Sequence, residues 1–106
     1  MKISTNQKAD LKNQIVMCLQ SEPEVKKIII FGSFIHSDTP KDIDIAIFQD
    51  KYSENKEFIT LGVKYQRRLD ELIKQIPIDV IPISPKANHK SFFMKEILKG
   101  EIIYEK

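Results

Sequence analysis

The 106-residue chain has one cysteine, Cys18, which excludes an internal disulfide and makes a reducing compartment the natural setting. Its two histidines and this cysteine stand far apart and match no familiar zinc-binding spacing. No apolar run is long enough to cross a bilayer. The opening residues Met1 to Lys8 lack the apolar segment of a signal peptide, so the expected location is the cytoplasm. Charge of one sign is missing as well: the formal net charge is +2 and no basic stripe stands out, which argues against nucleic acid as a partner. Internal repeats, linkers and low-complexity stretches are absent too. The length fits a single domain over residues 1–106, with one two-layer core and no room for a separate substrate domain.

What is present is concentrated between Ile28 and Phe48. The run Ile28-Ile29-Ile30-Phe31 is apolar without alternation, as in a strand covered on both faces, and it predicts a strand from Val25 to Phe31. Gly32 breaks that strand; glycine can take positive φ and lets the backbone approach a phosphate closely. Ser33 adds a hydroxyl and can open a short helical turn to His36. A polar loop containing Pro40 and Lys41 then leads to Asp42, which opens a second strand reaching Phe48. Two-residue spacing on a strand projects Asp42 and Asp44 together, with Ile43, Ile45 and Ile47 on the opposite face. Paired carboxylates resist burial unless a cation sits between them. Magnesium suits such a pair, being a hard cation that takes one or two carboxylates plus substrate phosphates. A phosphate cradle beside a carboxylate pair describes a nucleoside triphosphate site.

The flanking segments supply a frame. Ser4 or Thr5 can cap a helix to about Ser21, with Leu11, Ile15 and Leu19 on its apolar face and Pro23 ending it. Cys18 on that helix reads as a small buried hydrophobe. A second long helix is predicted from Ser53 or Glu54 to about Gln75, with a stripe of Phe58, Leu61, Tyr65, Leu69, Leu72 and Ile76. Lys64, Arg67, Arg68 and Lys74 lie off the stripe; they form a solvated face, or one of them approaches a triphosphate. Ile78 to Ile83 reads as a third strand, with Pro82 pointing to a sheet edge. Asp79 inside it needs either a partner or an exposed position. Asn88 can cap a last helix from about His89 to Lys99, with Gly100 as its C′ residue, before a strand from Glu101 to Tyr104. The alternation predicts an α/β (α+β) domain with a mixed sheet of about four strands and helices mainly on one face. Ala46, Phe48, Ile81 and Ile83 would continue the aspartate face as apolar side chains. Left open, that face would mark an interface, with a partner or in a homo-oligomer; otherwise the C-terminal helix packs over it.

Taken together, Gly32-Ser33, Asp42-Ile43-Asp44 and Asp79 in Ile78-Asp79-Val80-Ile81 resemble the minimal nucleotidyltransferases of the DNA polymerase β superfamily. The ending Glu96 to Tyr104 is similar to that family's C-terminal helix, turn and strand. The resemblance covers nearly the whole chain, with two departures. The loop between Ser33 and Asp42 is short, at eight residues, and His36-Ser37 stands where many members carry Arg-Gly. The resemblance implies the nucleotidyltransferase fold and two-metal transfer of a nucleotide. Asp42, Asp44 and Asp79 would be catalytic and would ligate two Mg2+ ions; Gly32 and Ser33 would bind the nucleotide. Small free-standing members resemble antitoxins that move AMP from ATP onto a tyrosine of a HEPN-domain toxin. The expected partners are therefore ATP or another NTP and a HEPN-type toxin, with no membrane. Two other readings stay open: a non-catalytic antitoxin that neutralises its partner by binding, and a transferase subunit acting on a small molecule or RNA.

Overall fold

In the computed structural model, residues 2–50, 55–84, 87 and 90–106 are described. The elements run α1 (Thr5–Leu19), β1 (Val25–Phe31), α2 (Ser33–His36), β2 (Ile43–Gln49), α3 (Asn55–Leu72), β3 (Ile78–Ile83), α4 (Phe92–Leu98) and β4 (Glu101–Glu105). Among the described residues the strands form a four-stranded mixed sheet in the order β3-β2-β1-β4. β1 pairs antiparallel with β2 and β4, while β2 and β3 are parallel. The parallel pair follows from α3, which is long enough to carry the chain back across the sheet. β3 is an edge strand, as Pro82 requires.

Local chemistry explains the helix starts. Ser4 and Gln7 form a reciprocal capping box, each side chain bonding the other's backbone N–H, at 3.1 and 2.8 Å. Leu11, Ile15 and Leu19 then recur every four residues and are all buried. Ser91, not Asn88, caps α4 by accepting from the Met94 N–H; the expected start at Asn88 and His89 lies outside the described residues. α3 ends at Leu72 rather than Gln75, and Leu72 is exposed while Ile73 is buried. Four-residue steps from Leu61 through Tyr65 and Leu69 land on Ile73, so Leu72 falls off the stripe. Ser53, Glu54 and the side chain of Phe58 lie outside what is described. No helix among the described residues is long and apolar enough to cross a membrane.

The sheet has a core on each face. Ile28, Ile30, Ile43, Ile45, Ile47 and Ile78 pack with α1 and α3. Ile29, Phe31, Ala46, Phe48 and Ile83 pack with Met94 and Ile97 of α4. The apolar continuation of the aspartate face is therefore closed by the chain's own C-terminal helix rather than left open to a partner, with Phe48 only 8% exposed. Gly100 makes that closure possible. A Cβ there would strike the Ile30 carbonyl oxygen and come within 2.8 Å of the Phe31 Cβ. Gly100 does occupy the C′ position, but among the described residues only Gly32 has positive φ. Space, not a left-handed conformation, is what demands glycine at position 100.

Tyr65 of α3 is fully buried, and its hydroxyl lies beside Gln49 and Glu24 without hydrogen-bond geometry to either. Burial pushes its ionisation upward. A buried hydroxyl without a partner contributes nothing to offset its desolvation. Tyr65→Phe should leave the melting temperature unchanged or raise it, by up to about 1 kcal/mol of stability; a fall of that size would reveal a working hydrogen bond.

Candidate metal and nucleotide site

Three carboxylates converge at one end of the sheet. Asp44 and Asp79 are opposite one another in the parallel β2–β3 ladder. Asp42 sits one residue before β2, where the Ile43 N–H donates to the Pro77 carbonyl at 2.9 Å. Each of Asp42, Asp44 and Asp79 offers an oxygen, and these oxygens all lie within 4.8 Å of one another. Asp42 and Asp44 are half-buried, and Asp79 is exposed. Gln66 of α3 braces the free edge of β3 around Asp79. Its side-chain amide donates to the Ile78 carbonyl at 2.6 Å and its oxygen accepts from the Val80 N–H at 2.8 Å. That clamp satisfies edge-strand groups on both sides of Asp79 and fixes its register.

Gly32 closes the site from β1. Its φ of 82° lies in the region that side chains disfavour, and a Cβ there would stand 2.8 Å from Asp44 Oδ2. Ser33, exposed at the start of α2, follows directly, and its backbone carbonyl accepts from the Ser37 N–H at 2.9 Å. Of the five residues singled out in the sequence, the three aspartates converge, Gly32 abuts Asp44, and Ser33 is its chain neighbour.

Electrostatics match a cation site. The Asp44 carboxyl is raised to about 6, first by burial, then by the charges of Asp42 and Asp79 and a hydrogen bond with Asp79. A carboxylate cluster that holds a proton this tightly lacks a counter-charge, and its hard oxygen donors fit a hard divalent cation. The linkage has a definite sign. Because the folded-state value is raised, Asp44 contributes stability below about pH 4 that is lost as pH rises through about 6. In metal-free protein, stability should fall across that window. Divalent-ion affinity should run the other way, weaker at about pH 5 than at about pH 8, because the ion must displace the proton. Ion titrations at the two values, with proton release followed, check this; equal affinity at both would contradict it.

Two of the basic residues expected along α3 are engaged away from the aspartates. α3 packs on the other sheet face, where Lys64 and Arg68 both pair with Glu22. A groove of about 590 Å3 also lies on that far side, between α1 and α3. Cys18 lines it, half-buried, and burial pushes its thiol upward, as suits an inert packing residue. On the aspartate side, sequence reasoning missed a cavity of about 230 Å3 next to Gly32, lined by Phe31, His36, Glu96, Lys99 and Gly100 as well. A lysine at a helix C-cap, as Lys99 is, carries no local signal beyond favourable helix-end charge.

Comparison with known proteins places this geometry in context. The sequence family described as "Polymerase beta, Nucleotidyltransferase" matches residues 13–106. No curated protein matches the chain in sequence. Among solved structures, a complex of a tri-AMPylated HEPN toxin from Shewanella oneidensis with an MNT antitoxin is similar, with a TM-score of 0.60 and 21% identity, over 93% of this chain and 73% of that one. A toxin–antitoxin structure with AMP-PNP aligns with a TM-score of 0.61 and 21% identity, over 90% of this chain and 73% of that one. The MntA–HepT toxin–antitoxin complex aligns with a TM-score of 0.57 and 20% identity, covering 92% and 73%. At these identities the likeness is one of fold.

Proposed function

Because the chain belongs to the polymerase β nucleotidyltransferase family, we propose that it moves AMP from ATP onto a tyrosine hydroxyl of a HEPN-type toxin and so acts as an antitoxin. The observation that carries this reading is the convergence of Asp42, Asp44 and Asp79 within 4.8 Å beside the positive-φ Gly32. In it, residues 1–106 form one minimal nucleotidyltransferase domain, and the partner supplies the acceptor surface.

Asp42, Asp44 and Asp79 would hold divalent cations, two magnesium ions in this proposal, which when bound offset charge on the phosphates. Ser33 and the backbone at Gly32 hold the β- and γ-phosphates. Asp79, the exposed member of the triad, faces the incoming acceptor and takes the proton of its hydroxyl. The acceptor oxygen then bonds to the α-phosphorus, the bond from that phosphorus to the bridging oxygen breaks, and its electron pair leaves with pyrophosphate. An ATP-consuming reaction and a free thiol at Cys18 both suit a cytoplasmic setting.

The test is co-expression with a HEPN-domain toxin, followed by mass spectrometry of that partner. One or more AMP additions on tyrosine are expected, dependent on ATP and magnesium. A partner that is silenced yet unmodified would replace transfer with neutralisation by binding alone.

A further inference from the structure

The cavity of about 230 Å3 lies across Gly32 from the aspartates. In the sheet order β3-β2-β1-β4, Asp79 and Asp44 face each other, Phe31 is in register with Asp44, and Gly100 directly precedes β4. The cavity is thus about one strand spacing beyond Asp44, on the side away from Asp79, roughly 5–10 Å from the carboxylates. Gly32 borders both spaces, touching Asp44 on one side and lining the cavity on the other. A triphosphate whose α-phosphorus sits at the aspartates has its tail directed either into this cavity or away over Asp79 into solvent. The first route brings it to Lys99.

We propose that Lys99 binds the terminal phosphates of the nucleoside triphosphate in this cavity. The inference rests on the nucleotidyltransferase reading above and deepens it by naming a binding residue. Lys99 is the amine among the cavity's lining residues. Its side chain is 71% exposed and pairs with Glu96 at 3.3 Å, in an i,i+3 pair at the end of α4. Exposed pairs of this kind are weak, so the ammonium can leave Glu96 for a more highly charged phosphate. The flexible lysine stem permits that swing, and the ammonium acts on phosphate as a point charge. Three other cations are engaged elsewhere: Lys64 and Arg68 on the far sheet face with Glu22, and Lys8 with the Ser37 carbonyl at 2.6 Å. Glu96 therefore parks Lys99 at the cavity mouth and competes with the phosphate for it.

Calorimetric titrations in magnesium test this, using ATP, AMP and tripolyphosphate against the wild type, Lys99→Ala, Lys99→Arg and Glu96→Gln. Lys99→Ala should weaken ATP and tripolyphosphate by about tenfold, the loss expected of one charge-assisted contact, with AMP unchanged. Lys99→Arg should retain most of the affinity, and Glu96→Gln should match or exceed the wild type, because it removes the competitor. Equal ATP affinity in the wild type and Lys99→Ala overturns the proposal while leaving the transferase reading intact. So does an equal loss for ATP and AMP, which would mark a general lesion. A wild type that binds no ATP in magnesium overturns both.

Discussion

Asp44→Asn should lower nucleotide transfer by about 1,000-fold, equivalent to about 4 kcal/mol of lost transition-state stabilisation. Asp44 is the central member of the triad, in register with Asp79 across the parallel pair and with Phe31 across the antiparallel one. An amide keeps the volume and one oxygen but removes the charge that a divalent cation needs. The same substitution should not harm the fold. Asp44 is raised to about 6 because burial and its acidic neighbours disfavour its charge. The amide carries no charge for those neighbours to repel, so the metal-free variant should melt at the same temperature as the wild type or slightly higher above about pH 6. Rate measured by mass spectrometry and stability measured by thermal melting then move in opposite directions. Equal transfer by the two proteins in magnesium and ATP would show that Asp44 holds no essential cation.

Gly32→Ala should cost about 100-fold in transfer and about 2 kcal/mol in stability. Two effects add at this position. A side chain at φ 82° is strained by its own backbone. Its Cβ would also stand 2.8 Å from Asp44 Oδ2, closer than such atoms approach, so Asp44 must move or the β1–α2 turn must open. Either shift displaces a carboxylate from its partners, and misplacement on the ångström scale is costly in a positioned reaction. Transfer rate and chemical denaturation measured on one preparation separate the strain from the displacement. Full activity in a destabilised variant would show that Asp44 adapts and that only the strain matters.

Much of the architecture was legible because it depends on neighbours within a few residues. The β1 and β3 bounds and the α2 turn agree with the sequence reading, and β2 and β4 are shifted or extended by one residue. Apolar runs, Gly32, Pro82 and the Ser4–Gln7 cap act through the local backbone, where periodicity and turn chemistry operate. The misses share the opposite character. Leu72 and Ile73 exchanged places because a helix face drifts along its length, and only the packed partner decides which residue closes it. Gly100 stands at the C′ position expected of it, but what demands glycine there is the Ile30 carbonyl of a strand distant in sequence, which excludes any side chain.

The candidate site divides along the same line. Sequence alone determined that Asp42 and Asp44 share a face, since strand pleating sets that alternation, and that Gly32 and Ser33 follow a buried strand. Tertiary structure decided that Asp79 stands opposite Asp44, because that register depends on how α3 returns the chain to the sheet edge and on Gln66 gripping both flanks of Asp79. It decided that the apolar continuation through Ala46 and Phe48 is sealed by α4, burying area that would otherwise face water. It also brought Lys99 to the cavity beside Gly32, a juxtaposition set by packing α4 across β1, for which no pattern of neighbouring residues stands as a sign.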